Sequence, residues 1–174
     1  MKKILLLHSS REGQTVKILR YIEHELAKTH QCEFINLHSM PEINFTLYDA
    51  IMIGSSIHYG HLNKKLYKFI KNNLSALNKS QAAFFCVNLT ARKLEKDTPE
   101  TNFYMKKFLS LSPWKPKLLD VFAGALYYPR YRFVDQVMIQ FIMKITGGET
   151  DRTKEVEYTN WDRVKQLSIN FSAL

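Results

Sequence analysis

Short apolar runs alternate with segments of helical spacing along most of the 174 residues, and this alternation restricts the fold more than any other feature. Residues 3–7 (KILLL), 48–54 (YDAIMIG), 82–89 (AAFFCVNL) and 118–126 (LLDVFAGAL) are apolar over the length of a strand, and 33–37 supplies a second, weaker one in chain order. Near-continuous apolar character marks strands buried on both faces. Val16, Leu19, Ile22 and Leu26 recur within 13–28 at the spacing of one helix face. Leu66, Phe69, Ile70 and Leu74 do the same within the lysine-rich segment 62–77. Residues 100–111 are helical in pattern, and a last helix runs from Thr159 or Asn160, either suited to a cap, towards Leu174. Strands joined by helices predict an α/β chain: a doubly wound, five-stranded parallel sheet in the order 2-1-3-4-5. No composition shift divides it, so 1–174 is read as a single domain.

Sheets of this kind bind ligands beyond the carboxyl ends of their strands, where the winding reverses. Three loops meet there: 8–15, 54–61 and 88–96. The first, HSSREGQT, sits where a helix N-terminus presents free N–H groups and the positive end of its dipole. An anion is stabilised at such a turn. Ser9, Ser10 and Thr15 add hydroxyls, and Gly13 lets the backbone turn tightly. The chain has neither GxGxxG nor GxxxxGK[ST], which disfavours a dinucleotide or a nucleoside triphosphate and favours one terminal phosphate monoester. The second loop, GSSIHYG, places an imidazole and a phenol between glycines, a surface for a flat heteroaromatic ring. The third, NLTARK, supplies polar edges and positive charge.

Composition narrows the partners. The net charge of +9 calls for an anionic one: phosphate, carboxylate, acidic lipid or nucleic acid. The lysines are spread over several helices rather than gathered on one platform, which argues against nucleic acid. Cys32 and Cys86 lie apart, outside any CxxC, and read as free thiols of a reducing compartment rather than metal ligands. The first apolar run is too short for a secretory signal, and no run of 18 apolar residues predicts a spanning helix.

The segment from Tyr127 to about Lys154 is more than a minimal sheet of this type needs. It opens YYPRYR, with aromatics and cations around a proline. Residues 133–145 are then apolar nearly all round a helix, with Gln136, Gln140 and Lys144 as one narrow polar stripe. So wide an apolar surface needs cover. The domain core, a neighbouring subunit in a homo-oligomer, and the interface of an anionic bilayer with Arg130, Arg132 and Lys144 near head groups are the three choices.

The stretches SSREGQT, YDAIMIGSSIHYGH, FFCVNLTARKLEKDTPETN, FAGALYYPRYRFVDQVMIQFIMKITGGETDRTKEV and YTNWDRV resemble the menaquinone-dependent protoporphyrinogen oxidase family of bacteria, within the flavodoxin superfamily. The resemblance covers almost the whole chain. VNLTARK with TPETN, and YPRYR through TGGETD, carry most of its specificity. It implies a flavodoxin-like sheet with a helical insertion after strand 5. It implies FMN, its phosphate held by the turn of Ser9, Ser10, Arg11, Glu12, Gly13, Gln14 and Thr15. The flavin ring would lie against Ser56, Ile57, His58, Tyr59 and Gly60 on one side and Asn88, Leu89, Thr90, Ala91 and Arg92 on the other. Arg11 and Glu12 depart from simple carriers, which more often have small neutral residues there.

The implied reaction is the oxidation of protoporphyrinogen IX to protoporphyrin IX in haem biosynthesis, with electrons passed to a membrane quinone (menaquinone or ubiquinone). The implied location is peripheral, on the cytoplasmic face of the inner membrane. Arg92, Lys93, Tyr128, Arg130, Tyr131 and Arg132 offer the aromatic walls and cations that an apolar macrocycle with two propionates needs. No base is assigned among His8, His58 and His61, and no metal is expected. Glu95, Asp97 and Glu100 read as surface charge. A flavodoxin-type electron carrier and an NAD(P)H:quinone reductase are the competing functions. The basic charge and the insertion argue against a carrier.

Overall fold

The computed structural model describes residues 1–39 and 42–174. Five parallel strands, β1 (Lys3–Ser9), β2 (Gln31–Asn36), β3 (Ala50–Ser56), β4 (Gln81–Asn88) and β5 (Leu118–Ala123), pair in the order β2-β1-β3-β4-β5. This is the predicted order. Alternation along the central strands sends Leu5, Leu7, Ile51, Ile53, Phe84 and Cys86 to one face. Ile4, Leu6, Met52, Phe85 and Val87 go to the other. Helices α1 (Gln14–Leu26) and α6 (Trp161–Ser172) cover the second face through Ile18, Leu19, Ile22, Val164, Leu167 and Phe171. Helices α2 (Lys64–Asn72), α3 (Leu74–Lys79) and α4 (Phe103–Leu111) cover the first. At Gly54 a β-carbon would overlap the ring of Phe85, its register partner on β4.

Three expectations are corrected. The helix read over 62–77 is two helices, because the Asn73 side chain donates to Phe69 O at 2.9 Å and competes with the backbone. The strand read over 118–126 divides at Gly124. Beyond it, β6 (Ala125–Tyr127) leaves the sheet and pairs antiparallel with β7 (Glu155–Glu157). The Gly124 carbonyl accepts from Tyr158 N at 3.0 Å, which closes the base of this ribbon. The insertion therefore hangs between two paired strands, with helix α5 (Phe133–Thr146) at its centre. Asp97, read as surface charge, is partly buried instead. Arg163 of α6 reaches Asp97 at 3.3 Å and Asp120 of β5 at 2.6 Å, fastening the loop after β4 to the sheet. Burial pushes the Asp120 carboxyl above its usual range, and Arg163 acts against that shift.

Candidate functional site

The three loops predicted to converge do so. They line a cleft of about 570 Å³ at the carboxyl ends of β1, β3 and β4. Each is shaped by its own residues. In the first, Gly13 caps α1 with φ +92° and no side-chain cap bond. Its N–H donates to Ser10 Oγ at 3.2 Å. The first-turn N–H groups of α1 lack intrahelical acceptors, as at every helix start. Beside them Thr15 Oγ1 is buried without a partner. These unfilled donors suit a phosphate monoester. Gln14 ties the turn to the far side of the cleft, donating to Thr159 Oγ1 (2.9 Å) and accepting from Tyr127 Oη (2.7 Å).

The second loop is a two-residue hairpin. His58 and His61 exchange backbone hydrogen bonds of 2.9 and 3.1 Å across Tyr59 and Gly60. Both central residues have positive φ, +47° for Tyr59 and +76° for Gly60. A turn of that type favours Asn-Gly, so tyrosine is held there against its preference. The Tyr59 ring packs 3.9 Å from the His58 ring and its hydroxyl donates to Asp135 of α5. In the third loop Asn88 Oδ1 accepts from Ala91 N (3.1 Å), Thr90 Oγ1 (2.6 Å) and Asn102 Nδ2 (3.2 Å). Asn102 also caps α4 and donates to Lys96 O at 2.8 Å. The two asparagines of the NLTARK and TPETN stretches thus set the loop by direct contact.

Of the implied cofactor residues, Ser10, Arg11, Glu12, Gln14, Thr15, Ser56, Ile57, His58, Tyr59, Gly60, Asn88, Leu89, Thr90 and Arg92 line the cleft. Ser9, Gly13 and Ala91 do not line it. Ser9 is buried and its hydroxyl meets His38 Nε2 at 2.9 Å, while Ala91 packs into the core. Of the implied substrate residues, Arg92, Arg130, Tyr131 and Arg132 line the cleft. Lys93 faces a separate shallow groove by Gly147 and Gly148. Tyr128 is fully buried and donates to Glu149 O at 2.8 Å, so it supports the insertion from beneath.

The insertion also brings residues that the motifs did not single out. Met138, Ile139, Ile142, Met143 and Thr146 form one wall, with Tyr104 and Asp135 near them. Their i, i+4 and i+8 spacing is legible in the sequence, but the side that faces inward is not. Two residues of the polar stripe turn in, Gln136 donating to Tyr131 O (3.0 Å) and Gln140 to Thr150 O (2.8 Å), while Lys144 stays exposed. Met143 is buried against Leu126 and Tyr128. The apolar side turns out, with Phe133 70%, Val134 74%, Phe141 64% and Ile145 68% exposed. The domain's own core is thus not what covers this surface.

His58 in the cleft and His8 near the end of β1 are both held below the usual 6.5. For His58 burial is the main cause and the Arg11 charge adds to it, while Glu12 and Asp135 oppose. For His8 burial is again first, followed by Arg20 and His38. Such groups favour folding when neutral, and the unfolded chain takes up their protons at higher pH. Stability present above 6.5 is therefore lost as pH falls through that value. The thermal midpoint should be lower at about pH 5.5 than at about pH 7.5, and His58→Asn should flatten the profile. A midpoint independent of pH over that interval would remove the assignment.

A family model described as a flavodoxin domain matches residues 5–153. A relative from Escherichia coli K12, protoporphyrinogen IX dehydrogenase (quinone), is 48% identical over 173 residues, covering 99% of this chain and 96% of the relative. This chain belongs to the protoporphyrinogen IX dehydrogenase (quinone) family. A Leishmania major protein of the same name is 45% identical over 174 residues, 99% of this chain and 75% of that protein. Members of this family are oxidoreductases, and this chain is one of them. The fold is shared more widely. An archaeal flavodoxin superposes with a TM-score of 0.53 at 15% identity, covering 98% of this chain and 96% of its own. The apo form of an NADH:FMN oxidoreductase does so with 0.54 at 11%, covering 99% and 89%.

Proposed function

We propose that this protein uses FMN to oxidise protoporphyrinogen IX to protoporphyrin IX in haem biosynthesis, delivering the electrons to a quinone dissolved in the membrane. The observation that carries the reading is the cleft itself. One end is a phosphate-ready turn, the floor is two loops suited to a flat ring, and one wall is an inserted helix whose other side is apolar and exposed. The E. coli and Leishmania relatives bear the name of this reaction.

FMN supplies the two-electron redox chemistry, and the overall oxidation removes six hydrogens in three such rounds. The chain's residues bind and orient. Ser10, Thr15 and the first amides of α1 would hold the phosphate. The Ile57–Gly60 and Asn88–Arg92 loops would hold the ring and keep water from it. Ile139, Ile142 and Met143 give the apolar substrate a wall to lie on.

The outward side of α5 sets the protein on the cytoplasmic face of the inner membrane, as a peripheral protein. Among the described residues no helix is long and apolar enough to cross a membrane. A helix lying in the interface buries one apolar side among acyl chains, and Arg132, Lys144 and Arg152 border that side here. The cleft mouth then opens at the depth where a quinone resides.

Purified protein loaded with FMN should form fluorescent porphyrin from protoporphyrinogen IX and reduce a menaquinone analogue as it does so. Porphyrin forming no faster than in the protein-free control would refute the reading. Rapid bleaching of the flavin by NADPH would point to a quinone reductase instead.

A further inference from the structure

Four guanidinium groups and two carboxylates line the cleft: Arg11, Arg92, Arg130 and Arg132, with Glu12 and Asp135. Their partners separate them into two kinds. Arg92 is engaged with backbone and hydroxyl, donating to Leu89 O (2.8 Å), Thr146 O (3.1 Å) and Thr146 Oγ1 (2.7 Å), which fixes the C-terminal end of α5. Arg130 forms a two-point pair with Glu155 of β7, at 2.7 and 3.0 Å, and lies over the Tyr127 ring at 4.3 Å. Glu12 accepts from Tyr131 Oη at 3.0 Å, and Asp135 accepts from Tyr59 Oη. Arg11 and Arg132 remain. Neither guanidinium has a hydrogen bond or ion pair with any described residue, and both side chains border the cleft.

These two arginines come from distant parts of the chain, the turn after β1 and the residue that precedes α5, yet they meet at one feature. Both charges favour ionisation of the Tyr59 hydroxyl, against the hydrogen bond to Asp135. Both residues are exposed, and both line the solvent side of a single cleft whose apolar lining includes Ile57, Leu89, Met138, Ile139, Ile142 and Met143. A guanidinium presents its donors in a plane that matches a carboxylate at two points. The phosphate turn does not call on Arg11, since its amides and the Ser10 and Thr15 hydroxyls are donors enough.

We infer that Arg11 and Arg132 form a dicarboxylate-recognition site at the cleft mouth, each holding one acidic side arm of the substrate while its apolar ring system lies inward. This rests on the reaction proposed above and moves Arg11 from cofactor to substrate. The site also gives direction. With both arms held at the mouth, the macrocycle can enter the apolar cleft in only a few of its orientations.

The test uses the FMN-loaded full chain and two porphyrinogens, protoporphyrinogen IX and its dimethyl ester, which keeps the ring and lacks the charges. Arg11→Gln and Arg132→Gln are both at exposed positions, so the fold should be retained. Each should raise KM for the diacid about tenfold, the double variant more, with kcat little altered. KM for the diester should not respond to either substitution. FMN affinity, followed by fluorescence quenching, should stay within about twofold of the parent, and co-sedimentation with vesicles containing phosphatidylglycerol should fall by no more than about fivefold for Arg132→Gln, the share of one basic residue beside an anionic surface. An Arg11→Gln variant that loses FMN and is impaired equally with both porphyrinogens overturns the assignment in favour of the phosphate. Variants that lose only vesicle binding overturn it in favour of lipid head groups. Parental turnover with unaffected variants overturns the assignment alone. Parental protein that turns over neither porphyrinogen overturns the reaction as well.

Discussion

Replacing Phe141 and Ile145 with aspartate is expected to detach the protein from anionic vesicles while leaving it folded. The two side chains are 64% and 68% exposed, so neither contributes much to the core. Placed among acyl chains, each would bury most of its apolar surface, worth about 1.5–3 kcal/mol apiece. Losing both lowers partitioning by on the order of 100-fold before any repulsion from the lipid charge is counted. Co-sedimentation with phosphatidylglycerol vesicles measures the loss and thermal unfolding measures the fold. Ile139→Asp is the contrasting change. Ile139 packs with Leu126, Tyr128 and Met143, and a charge there should cost several kcal/mol of stability. Undiminished vesicle binding by the double variant would show that α5 is not the lipid-facing element.

Gly13→Val should reduce FMN affinity by about tenfold or more and lower stability by about 1–3 kcal/mol. The cause is conformation, not crowding. A β-carbon at Gly13 would meet nothing within 4 Å, so there is room for it. The difficulty is φ +92°, which a β-branched residue adopts only under strain. Relief of that strain would rotate the peptide that opens α1 and misdirect the amides that face the phosphate. Gly13→Asn should be milder, because asparagine tolerates the left-handed region. FMN titration and thermal unfolding of both variants decide the point. Equal affinities for parent and valine variant would exclude a phosphate role for the turn.

Much of this molecule is legible from local pattern. The runs at 3–7, 48–54 and 82–89 read as central strands, because nearly all of their side chains are apolar and need burial on both faces. Their order follows from the regular strand–helix alternation, and the positions of the three loops follow from the order. NLTARK and TPETN stand out in the sequence only through the family resemblance, and the Asn88–Asn102 contact that ties them together is visible only in three dimensions. Boundaries failed where a residue's neighbours in space overrule its neighbours in sequence. Gly124 ends β5 early because Tyr158 claims its carbonyl, and Asn73 breaks a helix through its own side chain. Asp97 reads as surface charge until Arg163, 66 positions away, is seen to reach it.

The insertion divides the two kinds of knowledge most clearly. Residue order alone determined that 133–145 form a helix with a wide apolar arc and a narrow polar one, since helical periodicity depends only on spacing. Which arc faces the protein was decided by tertiary structure. The Tyr131 and Thr150 carbonyls need donors and find Gln136 and Gln140, so these two glutamines are drawn inward beside Ile139 and Met143, and Phe133, Val134, Phe141 and Ile145 are left outside. The same holds for the arginines. Their number and spacing are properties of the sequence, but only the folded cleft separates Arg92 and Arg130, which have partners, from Arg11 and Arg132, which have none among the described residues. A hydrogen bond between elements far apart in the chain has no local signature, and such bonds decided which charges remain available to a ligand.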